Sequence, residues 1–158
     1  MSTDDHIFVA GSASLEEAAQ WLSGVLRLEP VDDPDLKDGV RLFRGDARTA
    51  DGPLYVLVEP NVYGETDPAP EDVSAVDGYP IAVEVRLLGA RHEDAQASEA
   101  RAVFDELVQT QPPAALILSH ALSWIVAAYL PGTGTHTFPP HTSLDADHLD
   151  TWRPWIAS

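Results

Sequence analysis

The densest group of residues able to do chemistry lies near the C-terminus, where His136, His141 and His148 run among Asp145 and Asp147. Imidazoles with a carboxylate are a metal-ligand inventory, and a histidine beside an aspartate is raw material for general acid–base catalysis. The spacing is not one of the recognised metal-binding ones, and neither histidine pair stands at i, i+4 on a clear helix. Ser119-His120 and Ser123 offer hydroxyl and imidazole groups, but no G-x-S-x-G elbow accompanies them. Gly132-Thr133-Gly134 is not followed by a Walker lysine. With no cysteine, thiol nucleophiles, thiolate metal sites and disulfides are excluded. The sequence therefore assigns no catalytic residue, no metal and no cofactor. An enzyme with a metal-dependent or acid/base site in the His136–His148 region is the alternative reading.

Charge carries more information. Nine basic residues against 26 acidic ones give a net charge of −17 at pH 7, and Lys37 is the only lysine. Such a field repels nucleic acid and anionic membranes and attracts basic proteins, raising their encounter rate by roughly ten- to a thousand-fold at low salt. From Thr49 through Val85 there is no lysine or arginine at all. Within that span a loop at about 59–79, EPNVYGETDPAPEDVSAVDGY, separates two apolar runs. Its acids Glu65, Asp67, Glu71, Asp72 and Asp77 lie between Tyr63 and Tyr79. Aromatic residues beside charge are the material of interface hot spots, so these seven residues are the candidate partner-binding set. Outside it, Arg41, Arg44 and Arg48 form a basic patch whose expected role is pairing with neighbouring acids, each pair worth under about 1 kcal/mol.

These candidates must be held by regular elements, and hydrophobic periodicity supplies them. HIFV (6–9) reads as a short strand. Ser14-Leu-Glu-Glu17 is a capping box that starts a helix whose apolar stripe is Leu15, Ala18, Ala19, Leu22, Val25 and Leu26. Pro30 and the turn cluster DDPDLKDG end that element. Strands follow at 40–43, 54–59 and 81–87. The run Leu54–Val58 is apolar throughout, which predicts cover on both faces, whereas Ile81, Val83 and Val85 alternate with Ala82, Glu84 and Arg86 and predict one wet face. A second helix spans 93–109 and Pro112-Pro113 stops it. ALIL (115–118) reads as a buried strand. LSWIVAAYL (122–130) allows a short helix, from its alanine pair and its length, or a strand, from Trp-Ile-Val and Tyr; of the two, helix is the reading taken. The segment 131–158 is irregular in pattern, but Trp152 and Trp155 predict that it packs back on the domain.

The resulting order, β-α-β-β-β-α-β, is a single α+β domain over 1–158, with a mostly antiparallel sheet of about five strands and two main helices on one face. In size, acidity, lack of cysteine and α+β layout the chain resembles the small acidic immunity proteins of bacterial toxin–immunity systems. That resemblance implies a cytoplasmic binding module that neutralises a basic protein partner. Self-association is also compatible with the sequence, and an acidic structural or self-associating domain without a charge-driven partner is the third reading.

Overall fold

The structure is a computed structural model that describes residues 4–89 and 92–157. It is α+β, and among the described residues its sheet has eight strands rather than about five. They are β1 (Asp5–Val9), β2 (Glu29–Pro30), β3 (Arg41–Asp46), β4 (Pro53–Pro60), β5 (Ile81–Leu87), β6 (Leu116–His120), β7 (Trp124–Leu130) and β8 (Gly134–Thr137). Their spatial order is β2-β3-β4-β5-β1-β6-β7-β8, and every neighbouring pair is antiparallel. The first strand in sequence is thus a central strand. The chain leaves it through α1 (Leu15–Leu26) to one edge, returns strand by strand to β5, then crosses through α2 (Glu93–Gln109) to the other side.

Both helices cover one face. Ser14 Oγ accepts from the Glu17 amide at 3.1 Å and Glu17 Oε1 accepts from the Ser14 amide at 3.0 Å, so the capping box starts α1 as the sequence demands. Ala18, Ala19, Leu22 and Leu26 then meet Ala100, Val103, Phe104 and Leu107 of α2 over Ile7, Val9, Val56, Val83 and Leu118 of the sheet. A buried carboxylate ties α2 to the β3–β4 turn: Glu99 accepts from the amides of Arg48 and Thr49 and from the Thr49 hydroxyl. Arg48, from the basic patch, pairs with Glu106 at 2.8 Å and also donates to the Leu26 carbonyl, while Arg41 pairs with Glu16 at 3.0 Å.

The opposite face is covered over only part of its width. Phe8, Ala82, Ile117, Ile125 and Ala128 form a second core with Ala75, Val76 and Tyr79 of the β4–β5 loop and with Phe138, Leu144 and Trp152 of the C-terminal segment. Trp152 is 1% exposed and donates from its indole nitrogen to the Asp145 carbonyl. Around it the segment folds into a single 3-10 turn (Ala146–His148), the short helix α3 (Leu149–Trp152) and another 3-10 turn (Arg153–Trp155).

Three expectations change. Leu122–Leu130 is not a helix, because Trp124–Leu130 pairs with both β6 and β8. The strand 54–58 is covered on both faces only in part: Leu54, Val56 and Val58 are buried under the helices, whereas Tyr55 and Leu57 are half-exposed on the open part of the other face. Conversely Ala82 and Glu84 are buried, so on β5 only Arg86 faces water, because the loop before β5 folds over that side. No described helix is long and apolar enough to cross a membrane.

Candidate functional site

The acidic loop is built, not merely long. Asn61 donates from Nδ2 to the carbonyls of Tyr79 at 2.7 Å and Val76 at 3.0 Å, closing the base of the excursion. Asp77 accepts from the Glu65 amide through Oδ1 (3.0 Å) and from the Ser74 amide through Oδ2 (2.8 Å), pinning its two limbs together. A 3-10 turn occupies Pro70–Asp72, and Ser74 forms an isolated antiparallel bridge with Asp145 of the C-terminal segment. Gly64 sits where the limbs touch: a Cβ there would lie 3.0 Å from Asp77 Cα and 3.1 Å from the Val76 carbonyl oxygen. These bonds hold the loop backbone, and with it the points from which the outward side chains project.

The structure divides the seven candidate residues. Glu65, Asp67, Glu71 and Asp72 are exposed on the outside of the loop. Tyr63 is 41% exposed and stands beside Val62, 73% exposed; these two are the exposed large hydrophobic residues of the described chain. Asp77 is half-buried and acts as the brace. Tyr79 is a correction: it is fully buried in the second core, where its hydroxyl oxygen accepts from the Ala157 amide at 2.9 Å, so it presents nothing to a partner. Burial raises its phenol pKa to about 12, despite the opposing hydrogen bond from Ala157.

Beneath Tyr63 lies His6, 2% exposed, which packs 5.2 Å from the tyrosine ring centre and 6.0 Å from that of Phe8. Both its ring nitrogens lack a hydrogen-bond partner. Burial lowers its pKa, although the Glu84 and Asp4 carboxylates pull the other way, so the imidazole is neutral and serves as an aromatic support. Tyr63 is therefore anchored on its inner side by rings and free on its outer side.

The patch is wider than the loop. Pro70 and Val73 share a depression with Asp147, Asp150 and Arg153, which makes the C-terminal acids neighbours of the loop acids. The sequence separates these groups by more than seventy residues and gives no hint that they meet.

The three C-terminal histidines are held apart in function. His136 stacks on Trp155 with ring centres 4.5 Å apart, His141 packs edge-on against Trp124 at 5.2 Å, and His148 accepts from the Ser143 amide through Nδ1 at 2.6 Å. Among the described residues no three histidine, aspartate or glutamate side chains gather closely enough to hold a metal ion.

The imidazole in the most polar setting is instead His120, at the end of β6. Its Nδ1 lies 2.6 Å from Asp5 Oδ1 and its Nε2 lies 2.5 Å from Glu93 Oε1, so each ring nitrogen shares a proton with a carboxyl group. Burial works against a charged imidazole, but Glu93 and Asp5 outweigh it and raise the His120 pKa. Burial likewise raises the pKa of Asp5, opposed by His120. Sequence separations of 115 and 27 residues hide this trio from any motif search.

Comparison of the chain with protein-family models, with curated proteins and with solved structures gives no match.

Proposed function

We propose that this chain is a binding module for a basic protein, with the ordered acidic loop as its contact surface. The observation that carries the reading is the juxtaposition on one braced loop of two exposed apolar side chains, Val62 and Tyr63, with the exposed carboxylates of Glu65, Asp67, Glu71 and Asp72. An apolar anchor ringed by charge suits a complex whose encounter is driven electrostatically and whose lifetime is set by a small desolvated centre. Because hydrogen bonds fix the loop beforehand, binding loses little conformational entropy. Asp147 and Asp150 extend the same field.

The partner's contact surface is cationic, and an inhibited toxin or nucleic-acid-processing enzyme fits that chemistry, as for immunity proteins. Capture from a lysate on the immobilised chain, developed with a salt gradient, tests the proposal. The expected result is a basic protein released at moderate salt and not retained by a column carrying the Tyr63→Ala, Val62→Ser variant. Retention of the same protein by both columns would place the contact elsewhere.

A further inference from the structure

The second layer of the sheet is only half built. The β4–β5 loop and the C-terminal segment cover β1, β6 and β7, where Tyr79 and Trp152 share a core with Phe8, Ile117 and Ile125. Over β3, β4 and β5 the same face holds a recess of about 350 Å³, lined by Leu36, Leu42, Tyr55, Leu57, Leu88 and the Glu84–Arg86 ion pair. Leu42, Leu57, Glu84 and His6 stand directly opposite one another on neighbouring strands and make one cross-strand row on this face. Tyr63 lies over His6 with ring centres 5.2 Å apart, next to Val62 in the chain. The exposed apolar pair is thus at one end of a row whose other end is the recess. Burial first, then the Glu59 and Glu84 carboxylates, raise the Tyr63 phenol pKa, and Glu84 is also a wall of the recess. In the next row Arg44 and Arg86 flank Tyr55, with Arg44 5.8 Å from the ring centre and in no ion pair with a described carboxylate.

We propose that this face is a self-complementary dimer interface, in which Val62 and Tyr63 of each copy fill the recess of the other. A two-fold axis lying in the plane of the face, along β5, exchanges the two ends of the row, so both contacts form together. Each copy's loop then completes the half layer that the other lacks. Charge matches as well as shape. The exposed acids that follow Tyr63, Glu65 and Asp67, come towards Arg44, Arg86 and Lys37 of the second copy. At the axis Glu84 is already neutralised by its own Arg86, 2.5 Å away. A second copy is the occupant because it carries an apolar tip bordered by acids, the complement of an apolar recess bordered by arginines, in the same row of one face. A small apolar molecule would cover the recess and leave Val62 and Tyr63 in water. The inference does not rest on the proposed basic partner; that partner and a second copy compete for the same two side chains.

The test is sedimentation velocity of the purified full chain at low and high salt, with no other protein present. Two chains of charge −17 repel over a longer range than the local pairs attract, so the dimer should tighten at least about tenfold as ionic strength rises from about 0.05 M to about 0.5 M. Capture of a basic partner has the opposite salt dependence, so failure of one reading is separable from failure of the other. Tyr63→Ala removes the tip and Leu57→Lys blocks the recess. Each alone should weaken dimerisation at least about tenfold, with unchanged far-ultraviolet circular dichroism. An equimolar mixture of the two variants should regain association, because one intact tip still meets one intact recess. A chain that stays monomeric at high salt into the millimolar range would overturn the proposal and leave the recess to a smaller occupant. A dimer that persists in both variants, a mixture that associates no better than its components, or growth beyond the dimer would overturn it too.

Discussion

Asp77 Oδ1 accepts the amide of Glu65 at 3.0 Å, twelve residues back along the chain, and this bond sets where the first exposed acid of the loop projects. The same carboxylate holds Ser74 at 2.8 Å. Hydrogen bonds to a charged group contribute roughly 1.5–3 kcal/mol when made and cost more when one partner is left behind. Asp77 is therefore a positioning residue for the proposed surface, although it is not part of that surface.

Replacing Asp77 by alanine should free the loop's two limbs without unfolding the sheet. The amides of Glu65 and Ser74 should lose protection in hydrogen exchange by about tenfold or more, while the β1 amides of Ile7 and Phe8 keep theirs. Uniform loss of protection across both sets would mean that Asp77 supports the whole domain.

Tyr79 links the loop to the C-terminal segment through the Ala157 amide, and its phenol pKa is raised to about 12. The unfolded phenol ionises near 10, so the folded state holds the proton more tightly. Stability is then fully present below pH 10 and falls as pH rises from 10 towards 12, by roughly 2–3 kcal/mol for a shift of this size. Tyr79→Phe should remove that alkaline loss, at a cost near neutrality of about 1 kcal/mol for the lost hydrogen bond. Denaturant titrations across the alkaline range check both parts. An unchanged alkaline slope in the variant would show that the phenol is not the group responsible.

His6 and His120 respond to pH in opposite senses. The His6 pKa is lowered from 6.5, so the unfolded state takes up the proton first and stability is lost as pH falls below 6.5. The His120 pKa is raised from 6.5, so its contribution is complete below 6.5 and disappears as pH climbs through the folded value. His6→Phe removes two unpartnered nitrogens while keeping a ring under Tyr63, and should flatten the acid side of the profile with little loss at neutral pH. His120→Gln should flatten the side above 6.5 instead. Thermal melts across this range check the pair, and identical profiles for both variants would refute the assignment.

Much of the framework is legible from the sequence because it obeys periodicity. Ser14 with Glu17, the stripe from Leu15 to Leu26 and the bounds of α2 follow from capping and a 3.6-residue repeat. The edges are not legible for the converse reason. The strand β2 is two residues, Glu29 and Pro30, and β8 is Gly-Thr-His-Thr; neither has an apolar pattern, and their pairing is dictated by neighbours. Trp124–Leu130 misleads because a register shift between Leu118 and Ser119 and a run of buried alanines obscure the two-residue alternation. Of the site, the exposed acids and Tyr63 are readable as a charged, base-free loop. The burial of Tyr79 is not, since it depends on the C-terminal segment that returns more than sixty residues later. The meeting of Asp5 and His120 follows from the pairing of β1 with β6, and Glu93 joins them because α2 starts beside that end of the sheet.

The central claim is that the loop face, and not the overall charge, captures the basic partner. Association kinetics of that partner with two charge-reversed variants decide it. One carries Glu65→Lys, Asp67→Lys, Glu71→Lys and Asp72→Lys. The other carries Glu29→Lys and Asp46→Lys, exposed acids on β2 and β3 towards the Pro53 end of β4, opposite the end from which the loop projects, because Asp147 and Asp150 adjoin the loop and cannot serve as a distant control. The account predicts that the loop variant slows association by about tenfold or more at low salt and that the control changes it about twofold or less. Equal slowing per reversed charge in the two variants would contradict it.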